Sequence, residues 1–367
     1  QGKVWSFTPR AKVPYQFLGR DNTLILGVDL DYWNYLSLRA TDIATLGTPQ
    51  ADIAATQRDR AIYAQNHTAL SEATKLTLGA RAQQVEIAAN DRANTLPGAS
   101  AAQARDPRSW EAALRHNLDS ATTIYGKVGT SFRIATLDEM FNNCGVFDLN
   151  SFTCFSTITP LEPQTSRDGE LGVEYRRQDG RLRASYYRMD LNNEIHFNAL
   201  TFTNMNLSPT QRRGVELEGS WKLSARFDLF GSYTHARALF REGRYGGVDV
   251  SGKNVPLVPR DMANLGLTWL VAEKTRVSGA IGHVGRQYYD NDQANNFAGG
   301  QMPSYATAEL KASHAIGPWN FSLAGNNLTN KKYYTYAVRG GRAAATNFNA
   351  YPMAGRTLLL SGEYRFR

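Results

Sequence analysis

The sequence is notable first for what it does not contain. No run of about 18 apolar residues occurs, so no helix of this chain would span a bilayer. The opening stretch "QGKVWSFTPRAKV" has no apolar core of a secretion signal, and strand-like sequence starts by about residue 4. So abrupt a start suggests a mature or shortened chain. Cysteine is nearly absent: Cys144 and Cys154 are the only two of 367 residues. No CxxC occurs and no histidine lies near them, which argues against zinc. Bridged, they would close a loop of roughly 11 residues, worth about 3 kcal/mol in the chain-entropy account, and would imply an oxidising compartment. The net charge is +8, but no Lys/Arg run of the kind that follows phosphates is present. A solvated polar face is therefore favoured over nucleic-acid binding. "GTSFR" around Ser131 is not a nucleophile elbow and the six histidines are dispersed, so no enzyme is expected.

What the chain does contain is alternation. In "GRTLLLSGEYRFR", Leu358, Leu360, Tyr364 and Phe366 share one parity with Gly362, while Thr357, Ser361, Glu363 and Arg365 share the other, with Leu359 as the exception. Side chains alternate across a pleated strand, so this is one apolar face and one polar face. The same pattern places Trp5, Phe7, Pro9, Ala11 and Val13 together, then Leu171, Val173 and Tyr175, then Val215, Leu217, Trp221 and Leu223. No helical period competes over any long window. Such segments fall at roughly 4–14, 23–35, 58–70, 75–87, 109–117, 122–132, 167–177, 181–196, 212–223, 227–237, 262–271, 275–286, 305–316, 320–334 and 356–366, about 15 in all. A mean hydropathy of −0.43 is compatible with a membrane barrel, which shows lipid to only half of its strand residues. The 18 tyrosines, 16 phenylalanines and 6 tryptophans suit strands and interfacial girdles alike.

The connections carry more information than the strands. Short ones near 15–22, 71–74, 118–121, 178–180, 224–226, 272–274 and 317–319 alternate without a break with long ones near 36–57, 88–108, 133–166, 197–211, 238–261, 287–304 and 335–355. All short turns on one side and all long loops on the other describe a transmembrane antiparallel up-and-down β-barrel with short periplasmic turns. A Greek-key sandwich would mix the two. Strands of about 9–13 residues also suit a tilted crossing better than the 5–6 typical of soluble sheets. Parity adds a further expectation. Bacterial barrels have even strand counts, and an open sheet would leave unpaired edges in lipid. About 15 strands therefore predict further strands upstream of Gln1. The alternative is one missed strand and a complete, passive 16-stranded porin-like channel.

Several stretches resemble the barrel of TonB-dependent outer-membrane receptors: "GKVGTSFRIATLDEMF" at 126–141, "LEPQTSRDGELGVEYR" at 161–176, "RRGVELEGSW" at 212–221, "KNVPLVPRDMANLGLTW" at 253–269, "LAGNNLTNKKYYTY" at 323–336 and the terminal "GRTLLLSGEYRF". Their order and spacing cover essentially the whole chain. The resemblance implies about 15 strands of a 22-stranded barrel, with the N-terminal plug and the first strands absent from this chain, and a single barrel region over 1–367. It implies a monomer in the bacterial outer membrane, in contact with lipid and lipopolysaccharide. Its task would be to import a metal chelate, a ferric siderophore by this resemblance, with energy from TonB delivered through the missing N-terminal part. No covalently held cofactor is implied. Haem or cobalamin import is the alternative within the same family. For haem, the family's "FRAP" and "NPNL"-like elements bracket a histidine; here "FRIA" at 132–135 is followed by no histidine through 166, which argues against a histidine-ligated haem. Such barrels commonly end on an aromatic residue, and here Phe366 is followed by Arg367.

The candidate ligand contacts lie in the long connections. Arg237, Arg241, Arg244 and Tyr245 occupy one, Tyr288 and Tyr289 with several amides another, and Arg339, Arg342 and Tyr351 a third. Arginine's planar fork of donors suits carboxylate, phosphate or catecholate oxygens, lipopolysaccharide phosphates included. "DNDQAN" at 290–295 has a calcium-loop spacing, but its sixth position is Asn295 where glycine is needed, so no metal site is expected. Glu170, Glu174, Glu216, Glu218, Glu309 and Lys311 fall on the polar strand face and are expected in the lumen.

Overall fold

The computed structural model describes residues 2–17, 19–40, 42–93, 98–148, 153–198, 203–340 and 346–366, without the side chains of 142–156. The chain is nearly all β, built as an antiparallel up-and-down sheet, and it divides into two units.

The first unit holds residues 1–116, 126–169 and 189–210. Its opening strand is split in two, Gly2–Phe7 and Arg10–Phe17, yet both halves pair with Arg20–Arg39 in one continuous register, Phe7 opposite Leu30 and Arg10 opposite Gly27. The break falls at Pro9, which has no N–H to give to the ladder; its carbonyl still accepts from Val28 N at 3.1 Å. Ser100–Arg105 and Arg108–Asn117 are likewise one strand along Thr74–Asp91, interrupted at Pro107. Counting each interrupted pair once, the seventeen segments of the long sheet make fifteen strands among the described residues. Each of the fifteen segments expected from the sequence corresponds to one of them.

The boundaries differ where strands continue beyond the bilayer-length stretch. Ala51–Ala69 begins seven residues before the expected 58. Ala55, Val85, Ile87 and Ala89 are buried there against Ala135, Leu137, Met140, Ile158 and Leu161, a small hydrophobic core beneath a long connection. Alanine-rich alternation is a weak marker of a buried face, so the extension was not legible. Conversely, the segment expected at 320–334 stops at Asn326. Asn327 and Asn330 take positive φ, 47° and 53°, and the Asn327 amide spans the bend by donating to the carbonyls of Lys331 and Ala354.

The second unit holds 117–125, 170–188 and 211–367. Phe227–Phe240, Asp261–Ala272, Thr275–Val284, Tyr305–Ile316, Trp319–Asn326 and Thr357–Tyr364 pair in sequence order, every pair antiparallel. Two of its long connections carry hairpins of their own among the described residues, Arg244–Tyr245 with Val248–Asp249 and Tyr334–Arg339 with Phe348–Pro352, as do two in the first unit, Phe141–Asp148 with Thr153–Ile158 and Ile195–Asn198 with Thr203–Asn206. The residues of the apolar parity are exposed: Leu265 is 60% accessible, Ile281 60%, Leu323 52%, Leu358 72% and Leu360 76%. A sandwich would have buried them against a second sheet. The opposite face carries polar networks. Arg183 donates to the Tyr125 hydroxyl at 2.7 Å and to Glu170 at 2.6 Å, as expected of a wet lumen.

Candidate functional site: a locked loop cluster

Three long connections of the second unit meet in one cluster: the stretch after Phe240, the stretch 285–304, and the hairpin of Tyr334–Arg339 with Phe348–Pro352. Backbone geometry begins the assembly. Asn291 and Asn295 take the left-handed conformation, φ 60° and 54°, which asparagine tolerates better than most residues. The string that imitates a calcium loop is thus a pair of tight bends. The Asp290 N–H donates to the Ala337 carbonyl at 2.9 Å, and the Arg339 N–H returns to the Asp290 carbonyl at 3.1 Å, laying one connection beside the other.

Side chains fasten the arrangement. Asp292 is fully buried, and its Oδ1 accepts from the backbone N–H groups of Asn296 (3.0 Å) and Phe297 (3.1 Å) and from Arg339 Nη1 (3.2 Å). Arg339 Nη1 also donates to Asn296 Oδ1 at 3.0 Å. The Tyr336 hydroxyl donates to Asp290 Oδ2 at 2.6 Å, and the Tyr245 hydroxyl to Asn291 Oδ1 at 2.7 Å. Asn295 ties in the first connection by accepting from the Asn254 N–H at 2.6 Å and donating to its carbonyl at 2.9 Å. Beneath lies an apolar knot of Tyr289, Phe297, Met302 and Ala337, in which Tyr289 meets Phe297 edge-on at 5.0 Å.

The electrostatics follow from this burial. Desolvation holds the Asp292 carboxyl above its ordinary range, against the opposing pull of its two backbone donors and Arg339. Burial, then the nearby Asp290 charge, pushes the Tyr245 phenol up to about 12. Tyr289 is pushed up by burial and its bond to Tyr334, and Tyr336 by burial and its bond to Asp290. These phenols stay protonated at neutral pH, and those of Tyr245 and Tyr336 donate hydrogen bonds to Asn291 and Asp290. No cluster of three or more His, Cys, Asp or Glu side chains that could hold a metal ion occurs among the described residues.

The expected contacts sort by this geometry. Tyr245, Tyr289, Arg339 and Tyr351 join the cluster, Tyr351 through a ring contact with Tyr336 at 5.5 Å. Tyr289 is only 2% exposed and belongs to the knot. Arg339 has its fork turned to Asp292 and Asn296, which makes it a positioning residue. Tyr351, 66% exposed, is the phenol presented outward. Tyr288 is half-buried, and its carbonyl accepts from the Leu257 N–H at 3.1 Å. Arg237 and Arg241 are exposed, and Arg244 folds back on the Gly247 carbonyl of its own turn at 3.0 Å. Arg342 and the thiols of Cys144 and Cys154 lie outside the described residues. Sequence reasoning missed Asp290, Asp292, Asn254, Tyr334 and Tyr336. The one available signal was the density of Asn and Asp beside tyrosines at 288–297.

An up-and-down sheet with its oily parity outward and its long connections knotted at one end is an outer-membrane receptor design, and the comparisons agree. Residues 1–328 match the TonB dependent receptor-like β-barrel family. The chain belongs to that family. It is a receptor barrel of the outer membrane, not an enzyme. The pesticin receptor of Yersinia pestis is 26% identical over 217 residues, 56% of this chain and 30% of that protein. Among solved structures, the closed form of the ferric-catecholate import receptor of E. coli K12 aligns with a TM-score of 0.74 at 16% identity, covering 100% of this chain and 55% of its own. The ferric yersiniabactin uptake receptor of Yersinia pestis aligns with a TM-score of 0.71 at 18% identity, again over 100% of this chain and 55% of its own. The chain thus spans about half the length of these TonB-dependent structures. At such identities the likeness speaks to the fold.

Proposed function

We propose that this chain is the barrel portion of a receptor that captures a ferric siderophore-type chelate at the loop cluster and imports it with energy from TonB. The observation that carries the reading is the cluster's chemistry. It offers protonated phenols, amides and arginines on a locked framework, with no metal-ligating set among the described residues, so it suits the oxygen-rich surface of an intact chelate. Relatives whose names specify ferric-catecholate and ferric yersiniabactin uptake support it by analogy. Tyr351, Arg237 and Arg241 are the direct contacts in this reading, with Arg244, Tyr245, Tyr288, Arg339 and Arg342 shaping the mouth. Lipopolysaccharide phosphates would meet those arginines that ligand does not, and the barrel would act as a monomer. The same reading places a plug domain and further strands ahead of Gln1, and the TonB-contacting segment with them.

The test is growth of iron-starved cells carrying the intact receptor on a panel of defined ferric chelates, with TonB present and deleted. The reading expects at least one chelate to support growth only when both receptor and TonB are present. Equal growth without TonB would favour the passive porin-like channel, for which the comparisons give no support. Growth only on haem or cobalamin would replace the siderophore.

A further inference from the structure

In the first unit, strand pairing lines up the residues of the outward, oily parity in rows across the sheet. One row reads Leu26, Ala64, Ala80 and Trp110. Leu26 is 43% accessible and Trp110 50%, and between them the surface drops to two methyl groups. The next row toward the long connections reads Val28, Ile62, Ala82 and Arg108. Together the two rows form an apolar trough of about 860 Å3, floored by Ala64, Ala80 and Ala82, banked by Leu26 and Val28, and bounded above by Ile62 and Arg108. Ile62, 64% accessible, confirms that this face is the outward one.

Above the trough the same face turns basic. The following rows place Leu30, Arg60 and Gln84 together, then Trp5, Tyr32, Arg58 and Glu86. Arg58, Arg60 and Arg108 are all exposed on the parity of the trough. No hydrogen bond or ion pair engages Arg60 or Arg108 among the described residues, and Arg58 lies over the Tyr32 ring, 5.8 Å from its centroid. Glu86 faces Arg58, and Asp106 is exposed two residues before Arg108, so three guanidiniums outweigh two carboxylates. Depth follows from the strand. Counted from Ala69, beside the short turn at 70–73, Arg60 is nine residues up and Arg58 eleven. At about 3.3 Å per residue and a tilt of about 45°, they stand roughly 21 and 26 Å above that end, near the top of an apolar band about 25 Å tall. An arginine on the lipid side is costly at the midplane and nearly free at this level, where its head reaches phosphate and where Trp5 and Tyr32 fit the aromatic girdle.

We propose that the trough and these arginines are one binding site for a phosphorylated lipid of the outer leaflet, the lipid A part of lipopolysaccharide. An acyl chain lies over Ala64, Ala80 and Ala82, and a phosphate meets Arg60 and Arg108, with Arg58 beside it. Trough and arginines share one face of the sheet, so a single molecule reaches both. Arg60 and Arg108 stand two strands apart, about 10 Å, a gap that two long side chains close around one phosphate. The charge balance selects an anionic head over a zwitterionic one. The assignment to the outer leaflet rests on the family, whose long connections lie on that side. The site is built on strands of the first unit, apart from the loop cluster, and is independent of which chelate the receptor imports.

The test uses the full receptor purified in mild detergent, with native mass spectrometry after exchange against equimolar lipid A, enzymatically dephosphorylated lipid A, phosphatidylglycerol and phosphatidylethanolamine. Lipid A should be retained as a single adduct, about fivefold over its dephosphorylated form, the effect of roughly one interfacial ion pair. Inorganic phosphate alone should give no adduct. Arg60→Gln and Arg108→Gln should each lower lipid A retention about fivefold, and Arg60→Lys should keep most of it. Ala80→Phe, which fills the trough and leaves the charges in place, should also lower it. Leu323→Ala, at an exposed apolar position of the second unit, should leave it unchanged. Heat-modifiable migration confirms that each variant is folded, and chelate uptake reports separately on the receptor function. Equal retention of lipid A and its dephosphorylated form, a preference for phosphatidylglycerol, a receptor dimer in place of the adduct, or Arg60, Arg108 and Ala80 variants that hold lipid A as the parent does would each overturn the site.

Discussion

Asp292 is where the loop cluster can be tested most sharply, because alanine and asparagine at that position ask different questions. Alanine removes the acceptor for two backbone N–H groups, on Asn296 and Phe297, and for the Arg339 fork. Orphaning a buried donor costs about 1–3 kcal/mol. Two such donors give about 2–6 kcal/mol, before anything is added for Arg339. Asparagine keeps an oxygen at Oδ1, loses the charge and puts an amide nitrogen in place of the buried Oδ2. Burial already pushes this carboxyl upward, so the neutral form is the one the site resists least. The cost of asparagine should fall below that of alanine, because the two backbone donors keep their acceptor. The cluster sits on loops, so the barrel's own melting would hardly register the change. Hydrogen exchange of the 289–302 and 334–339 peptides in the full receptor is the suitable assay. Asp292→Ala should speed exchange there by about 30-fold or more, and Asp292→Asn by clearly less. Linkage gives the same sign for pH. A folded-state value above the unfolded one means that this group's contribution is greatest at low pH and is lost as pH rises through the raised folded value. Lowering the pH toward 4 should therefore not release the loop through Asp292. Equal exchange in the two variants would show that the Arg339 charge pair, not the capping of the bend, holds the cluster together.

Three further outcomes follow from the same structure. Leu265→Arg, on the oily parity at 60% exposure, should weaken insertion into lipid bilayers by about 2–4 kcal/mol if it lies near the midplane, measured by denaturant titration of folding into vesicles. A stabilised or unchanged barrel would contradict a lipid-facing position. The ultraviolet difference titration between the parent and Tyr245→Phe should show a phenol ionising at about 12, not at the ordinary 10.0. A midpoint at the ordinary value would place Tyr245 in water. Mass spectrometry of protein taken from the oxidised envelope should find Cys144 and Cys154 bridged, and two free thiols there would refute the pairing.

Much of the fold was legible because lipid and lumen impose opposite chemistry on adjacent residues. Leu358 and Leu360 against Ser361 and Glu363 is a two-residue signal that no helix reproduces, and it recurred often enough to locate fifteen strands. The proline at 9 did not break the reading, since it interrupts the ladder without shifting the register on either side, whereas ahead of Pro107 the half-strand Ser100–Arg105 was read as part of a long connection. The ends of strands were less legible. Past the bilayer the alternation stops being set by lipid and comes to depend on which loop lies across it, as at Ala51–Ala55. The site was the least legible part. Arginines and tyrosines were sought as ligand contacts because of what their side chains can do. Their partners decide what they do here, and partners such as Asp292 and Arg339, 47 residues apart, are set by the paired loops and not by any local pattern.

That dependence bears on the cargo. A loop that captures a bare metal ion needs several ligands aimed at one point, and the phenols here are aimed elsewhere. Tyr336 and Tyr245 spend their protons on Asp290 and Asn291, and the carboxylates that could have gathered a cation are turned inward to cap N–H groups. In the proposed reading, such a surface recognises a partner that brings its own ligand shell, whose oxygens accept hydrogen bonds and whose net charge suits exposed arginines. It can also remain rigid while doing so, since its fastening bonds lie beneath the residues that face the solvent. Discrimination among chelates then comes to rest on the exposed layer, Tyr351 and Arg241 in particular, and substitutions there should change which chelate is accepted without loosening the frame below.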